Sequence, residues 1–493
     1  MELKPLRYHC EKKYRKIVLN LPVFDKILKH KDANAHIVAN TYLHVLNTAY
    51  PDFLANYNIS KLKKIMFIIR SKLISFVRVL QSIFNGEGYY VHKKRNKVDV
   101  LFISHLTNKN QIFSGKDPYF GDLSQQLKSS GVISGVVLIN HLKMSKRQIL
   151  SGFDSCTQPY FVLSHNMGLA DEIKMHFAHN KSKKLLVSIL KKLGVSGCLK
   201  RDILRNYFSA STFGTLRIAK QISAIVKETG ARYIVTTYEG HAWERLTYYY
   251  SRQVNPKIKC FGYQHSAVFE HQHAISRPLK SQYNPDVILT SGKVSFNVFN
   301  EKDVGSKIIL LGSPKYLSLG DGFVTNKDCC LVIPQGEITE CLLLFGFSLK
   351  YARQHPYQNF IWRLHPLLTF DKLKRHTRIF EGLPSNIVLS CDSLEGDIRK
   401  SDRVLYRGST AVIDAIRLGL KPIYYRHSSN ELSIDPIYQI DSERDIVCNA
   451  EELKLSLNRG MTQENMLHLQ DFVKDFYTPV NYQALLGELK LLK

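Results

Sequence analysis

No C-x-x-C pair occurs among the nine cysteines of this 493-residue chain, and none stands at zinc spacing from a histidine. Cys10, Cys156, Cys198, Cys260, Cys329, Cys330, Cys341, Cys391 and Cys448 are scattered, which excludes a disulfide scaffold and points to packed thiols in a reducing compartment. Nor is there an apolar run long enough to cross a bilayer, and the charged start, Met1 to Lys16, lacks the apolar stretch of a signal peptide. The expectation is a cytoplasmic protein that neither spans a membrane nor leaves by that route. G-x-G-x-x-G after a strand, G-x-x-x-x-G-K-[ST] and H-E-x-x-H are all missing, so dinucleotide, phosphate-loop and zincin chemistry lack their usual signals. No fixed-period repeat or low-complexity stretch competes with a globular reading.

Acidic charge is the other scarcity. Lys and Arg number 69 against 42 Asp and Glu, a formal surplus of +27 that biases the molecule towards anionic partners. The shortage is sharpest between Phe53 and Gly86, where no acid occurs at all. Within it, Leu62, Ile65, Met66, Ile69, Leu73, Phe76, Val77 and Leu80 recur at helical spacing among Lys61, Lys63, Lys64, Arg70, Lys72 and Arg78. Two readings stay open: a helix packed on its own domain with a solvated basic face, or a helix lying on an anionic membrane surface through 61–80.

Residues 1–95 read as a basic, helical N-terminal extension. From Lys97 short β-rich runs alternate with longer helical ones, as parallel sheets with crossover helices require. Strands are expected in 97–106, 133–142, 159–164, 233–240, 258–265 and 286–293, with helices near 166–190, 203–229 and 242–253. A second series is expected from Lys307: strands in 307–313, 329–336, 359–366, 386–390, 403–409 and 421–425, with helices at Thr339–Arg353 and Thr410–Leu418. The expected fold is α/β, with two doubly wound Rossmann-like domains, 96–300 and 301–470, facing a cleft. Residues 471–493 are expected to form a C-terminal helix packing back on the first domain. Ligands of such folds sit at the carboxyl ends of strands.

Polar residues crowd at those ends in the second series: Gly312 and Ser313, Gln335 and Gly336, then Arg363, His365 and Pro366 of "RLHP", and Arg407, Gly408, Ser409 and Thr410 of "RGST". A helix starting near Thr410 offers unpaired N–H groups, the positive dipole end and two hydroxyls to an oxyanion, and Gly408 lets the backbone come close. The alternative is that Ser409 or Thr410 is a plain helix cap. In the first series, "YEGHAWERL" puts Glu239 at a strand end and Gly240 at the turn, a place for general-base or nucleophile work; the alternative is a helix N-terminal Glu stabilised by the dipole. His241 and Glu244 follow, with Glu244 and Arg245 read as supporting groups. "GYQHS" ends another strand with Gln264, His265 and Ser266, and His271 and His273 lie just beyond. No carboxylate-rich ligand set accompanies these histidines, so no metal site is expected.

Glu239-Gly240, "RLHP" and "YRGSTAVIDAIRLGLKPIYY" in that order resemble B-type glycosyltransferases, nearest to the bacterial sialyltransferase and Kdo-transferase groups that use CMP-activated acidic sugars. "EGHAWE" and "GYQHS" are also similar to surface-carbohydrate biosynthesis proteins. The likeness runs from about Lys97 to Tyr425. It implies that His365 and the Ser409/Thr410 turn hold the CMP phosphate and that Glu239 is the catalytic carboxylate, base or nucleophile according to stereochemistry. It implies further that Gly312, Ser313, Gln335, Gly336, Arg363, Pro366, Arg407 and Gly408 line the donor site. Gly240, His241, Glu244, Gln264 and His273 would face the acceptor or support the site. No cofactor beyond the CMP-sugar donor is implied, in keeping with the absence of D-x-D, the metal–nucleotide motif of another glycosyltransferase class. The implied acceptor is a surface polysaccharide or lipid-linked glycan, met by a peripheral protein on the inner face of the cytoplasmic membrane. The chain also resembles CDP-polyol-dependent transferases of the teichoic-acid type, for which His265 or His241 would be the catalytic histidine. A nucleic-acid-binding protein is the reading from another class. It is not expected, because the bases are spread rather than interleaved with aromatics in a known module.

Overall fold

The structure, a computed structural model, describes residues 20–44, 61–84, 88–92, 97–109, 111, 117–142, 146–153, 158–316, 328–366, 368–428, 431–440 and 443–489. Cys10 and Cys156 lie outside them. Two sheets organise the chain. The first has eight strands in the order β1-β4-β3-β2-β5-β6-β7-β8: Tyr89–His92, Tyr160–Leu163, Ser134–Asn140, Val100–Leu106, Tyr233–Thr237, Lys259–Gln264, Val287–Thr290 and Lys307–Leu310. All pairs are parallel except β1 with β4. The second is wholly parallel, β11-β10-β9-β12-β13-β14: Ile387–Leu389, Asn359–Trp362, Cys329–Pro334, Arg403–Arg407, Lys421–Tyr425 and Asp445–Val447.

The strands form where apolar runs of four to seven residues can be covered on both faces. In β2, Val100 and Phe102 pack on one side with Val136, Val235 and Phe261. Leu101 and Ile103 point the other way, onto Ile222, Ile225 and Val226 of a crossover helix. The helices that matter below are α1 (Leu21–Lys29), α2 (Lys61–Phe84), α3 (Leu169–Lys192), α4 (Gly197–Tyr207), α5 (Ala210–Thr229), α6 (Ala242–Val254), α7 (Ile338–Gln354), α8 (Leu394–Arg399), α9 (Ala411–Arg417) and α10 (Tyr482–Glu488).

Three features depart from the sequence reading. The strand at 307–310 pairs with β7 as the far edge of the first sheet, so the first sheet runs beyond 301 and the second begins at β9. The N-terminal segment is no separate unit: Phe24, Ile27 and Leu28 of α1 share a core with Leu186, Ile203 and Leu216 of α3, α4 and α5. Its end, Tyr89–His92, is a strand pairing with β4. The single helix expected over 203–229 is broken at Phe208 and Ser209, where Ser209 caps α5 by accepting from Thr212 N–H at 3.2 Å. The chain recrosses after the second sheet, and Leu485, Leu486 and Leu489 at α10 complete the core beneath Phe102 and Phe261. That recrossing presses on two glycines. A Cβ at Gly292 would stand 2.3 Å from Phe476 O, and one at Gly312 2.2 Å from Pro479 O.

Setting aside the antiparallel edge strand β1, each sheet reverses its strand order once, between β2 and β5 in the first and between β9 and β12 in the second. A doubly wound sheet opens a crevice at such a reversal, at the carboxyl ends of its strands. Glu239 follows β5, Gln335 and Gly336 follow β9, and Gly408 follows β12.

Candidate functional site

At the first crevice the turn after β5 holds a carboxylate in place. Gly240 takes φ +86°, and a Cβ there would lie 2.2 Å from the Ala274 carbonyl carbon, so only glycine fits. Glu244, buried in the first turn of α6, accepts from the backbone N–H of Glu239 (3.1 Å), Gly240 (2.8 Å) and His241 (2.8 Å). Burial pushes its carboxyl up to about 7, against the opposing pull of His241 and those amides. The His241 ring accepts from the Glu244 N–H, completing a capping box, and meets Glu239 Oε2 through Nε2 at 3.2 Å. Ser266 Oγ donates to Glu239 Oε1 at 3.0 Å. Burial works against the Glu239 charge, but the hydrogen bond from His241 and the neighbouring imidazoles outweigh it and bring the carboxyl down to about 2. Glu239 is therefore ionised through the neutral range.

His265 lies beside this group, its ring edge-on to Tyr119 at 4.6 Å and its Nδ1 buried without a protein partner. Burial holds its imidazole down at about 4. Three histidines that the motif reading passed over continue the same edge: His105 at the end of β2, His141 after β3 and His165 after β4. His105 Nδ1 is 3.0 Å from His141 Nε2, and His105 Nε2 is 3.1 Å from Thr237 Oγ1, tying β2 to β5 at the reversal. Burial lowers all three, His105 to about 3, so the edge is a row of neutral imidazoles. Their signal was present in the sequence: "ISHL", "INHL" and "VLSH" each close an apolar run on Ser-His or Asn-His. Among the described residues no group of three or more His, Cys, Asp or Glu is placed to hold a metal ion.

The second crevice is built from small residues. Gly408 takes φ +68°, and a Cβ there would meet Gln335 Oε1 at 2.5 Å. A Cβ on Gly336 would meet His365 Cγ at 2.9 Å, so Gln335, Gly336, His365 and Gly408 share one surface where β9, β10 and β12 end. His365 and Pro366 are exposed there, and partial desolvation of the ring by its surroundings lowers the His365 pKa. Thr410 is the residue before α9 and its side chain makes no cap hydrogen bond, so the plain-cap reading does not describe it.

The two edges meet. Ala267, next to the Ser266 that holds Glu239, packs with Ile333, Tyr406, Val412 and Ile413 of the second domain. Lys315, another residue the sequence reading passed over, stands between them. Its Nζ is 3.5 Å from His265 O and 5.7 Å from the centre of the Tyr477 ring. The residue is exposed overall, yet the cleft walls desolvate its amine and lower its pKa against the charges of Asp414 on α9 and Glu239. It sits after β8 in "GSPKY", a strand end the boundary at 301 had assigned to the wrong sheet. Behind it a cavity of about 480 Å³ is lined by Lys293, Lys315, Asp414, Arg417 and Tyr477, among others; neither Glu239 nor His365 borders it.

Several residues expected at the donor or acceptor site serve the surrounding structure. Arg407 is fully buried, paired with Glu340 at 2.6 Å and with Glu431, and bonded to Tyr425 O at 2.9 Å. Arg363 donates to Asp397 at 2.6 Å and to Asp392 O at 2.8 Å, fastening α8. Gly312 and Ser313 receive the recrossing chain, with Ser313 N–H donating to Thr478 O at 2.9 Å. Gln264 is buried and bonds Ser266 O and Ser291. His273 faces His271, Arg277 and Lys302 rather than Glu239, and burial lowers it to about 4. Arg245 is buried and holds the 274–284 loop through Ala274 O, Arg277 O and Asn284.

No protein-family model matches the chain, and no curated protein sequence matches it. Solved structures do. MurG of Acinetobacter baumannii is 8% identical with a TM-score of 0.44, over 80% of this chain and 100% of that one. The glycosyltransferase of kitacinnamycin is 10% identical with a TM-score of 0.47, over 80% and 98%. The UDP-GlcNAc 2-epimerase of Methanocaldococcus jannaschii is 11% identical with a TM-score of 0.40, over 76% and 99%.

Proposed function

We propose that this protein is a glycosyltransferase that moves an acidic 2-keto sugar, of the Kdo or nonulosonic class, from its CMP donor to a glycan or glycolipid acceptor. The observation that carries the reading is the pairing of two crevices: an ionised carboxylate, Glu239, at one strand-order reversal, opposite a glycine-hydroxyl turn with an exposed imidazole at the other. The order of the motifs along the chain supports the CMP-sugar class, and the surplus of +27 suits a doubly anionic donor.

In this mechanism the bond between the anomeric carbon and the phosphate oxygen breaks, CMP leaves with the electron pair, and an acceptor hydroxyl supplies the new bond and passes its proton to a neutral imidazole of the first edge, such as His265 with its unpartnered Nδ1, and from there to water. His365, the Ser409/Thr410 turn and Lys315 stabilise the departing monophosphate. Glu239 faces the developing positive charge of the sugar. A carboxyl at about 2 is a weak base, so its stronger contribution is its fixed charge, which His241 and Ser266 orient. The neutral histidines at the first edge accept and donate hydrogen bonds to acceptor hydroxyls.

A thermal-shift series with cytidine, uridine, guanosine and adenosine nucleotides tests the donor class. CMP should raise the melting temperature most, and stabilisation by UDP alone would overturn that class. Glu239→Gln should cut CMP release from a CMP-sugar by about 10²–10³-fold, the size of a lost electrostatic stabiliser, while leaving the CMP shift in place. A fully active Glu239→Gln protein would remove Glu239 from the chemistry, and CMP release from CDP-glycerol instead would favour polyol-phosphate transfer.

A further inference from the structure

Helix α2 leaves a long apolar stripe open to solvent. An amphipathic helix on a globular protein buries its apolar stripe and shows its charges to water. On α2 the side chains of Met66, Ile69, Leu73, Phe76 and Ile83 are 57%, 52%, 58%, 59% and 55% exposed, with Val77 and Leu80 at 39% and 41%. At 100° per residue these seven positions fall within an arc of about 120° running about 26 Å along the helix. The protein side holds the half-buried Ile74 and Val79 together with polar groups: Ser82 is buried, and the half-buried Arg78 is close enough to feel the charges of Arg217 and Glu172. That pair is itself a two-bond ion pair between α5 and α3, Nε to Oε1 at 2.7 Å and Nη2 to Oε2 at 3.0 Å. The apolar surface continues onto α3, where Ile173 is 55% and Phe177 74% exposed one turn apart.

The charge around this face selects its occupant. The sequence from Phe53 to Gly86 carries six bases on α2 and no acid, and Lys174, Lys181, Lys183 and Lys184 are exposed along α3. A second copy brought face to face would set these cations against one another. An anionic lipid surface pairs with them while the apolar stripe enters the headgroup boundary. No helix among the described residues is long and apolar enough to cross a membrane, so the stripe would lie in the plane of the interface.

We propose that α2 and the start of α3 dock this protein onto an anionic phospholipid bilayer. The inner side of α2 lies towards the first crevice, where the charge of the half-buried Arg78 also reaches His165 beyond β4. If the glycosyl-transfer reading above holds, a lipid-borne acceptor would arrive beside the histidine edge.

The test is sedimentation of the full chain with sucrose-loaded vesicles, without donor or acceptor, so that its outcome is independent of the reaction. Phosphatidylglycerol-containing vesicles should bind it at least about tenfold more tightly than pure phosphatidylcholine, and added salt should weaken the binding. The double variant Leu73→Glu, Phe76→Glu should lose about tenfold or more in vesicle affinity, with an unchanged unfolding midpoint because both side chains are exposed. Leu455→Glu, which alters an exposed leucine of the second domain, should bind as the parent does. Equal binding by the double variant, no preference for anionic lipid, or a dimer in light scattering that the double variant dissociates without any vesicle binding would each overturn the proposal.

Discussion

At the carboxyl edge of the first sheet, ionisable side chains reach the cleft, while at the second sheet the strongest charges are turned into the wall. Glu239 keeps 22% of its side-chain surface, and His241 keeps 35%. Arg407, at the matching place in the second domain, keeps none, and neither does its partner Glu340. The first edge presents a carboxylate and imidazoles, whereas the second presents backbone, glycine and hydroxyls over a buried ionic anchor. A nucleotide phosphate suits the second kind of surface, because amide and hydroxyl donors bind it and a close-approaching backbone excludes water.

Breaking the anchor should have the largest effect. Arg407→Ala leaves Glu340 and Glu431 buried without their counter-charge, at a cost of about 3–5 kcal/mol, read from the urea midpoint of the second-domain transition. The glycines sharpen the contrast. Gly240→Ala forces a Cβ onto the rigid main chain of Ala274 and should cost about 3 kcal/mol, whereas Gly408→Ala meets the movable end of Gln335 and should cost about 1 kcal/mol in thermal unfolding. An equal loss in both would mean that the second edge is as rigid as the first.

Acid should separate the two domains next. His105 and His179 are held down at about 3, and His36, His265 and His273 at about 4, and all belong to the first domain. Unfolded, they take up protons near pH 6.5. The unfolded state therefore binds more protons throughout the window from about 6.5 down to about 3, and stability falls as pH falls through it. Hydrogen exchange followed by peptide should show first-domain strands losing protection before β9 and β12. Simultaneous loss would place the acid-sensitive groups elsewhere.

The alternation of apolar runs made most of the fold legible, because parallel strands buried on both faces leave long apolar signatures. The two strands it missed are sheet edges: Tyr89–His92 is only half-buried, and Asp445–Val447 is three residues beginning on an acid. The placement of Glu239, His365 and Gly408 at strand ends was legible because a strand end is a local pattern. The role of Arg407 was not, since Glu340 is 67 positions away and nothing near "RGST" announces it. Lys315 was hidden by the assignment of β8 to the wrong sheet, and α2 could be read as amphipathic but not as to which way it faces.

The smallest expected change in stability is the most pointed test of the second edge. Thr410 precedes α9 in the position of a capping residue, yet its hydroxyl caps nothing. A capping threonine lost to an apolar isostere would cost about 1 kcal/mol. Thr410→Val should instead shift stability by less than about 0.5 kcal/mol while weakening CMP binding about threefold to tenfold, the worth of one hydrogen bond, in titration calorimetry. A clear stability loss with unchanged CMP affinity would return this hydroxyl to the helix and leave Ser409 and His365 to hold the phosphate.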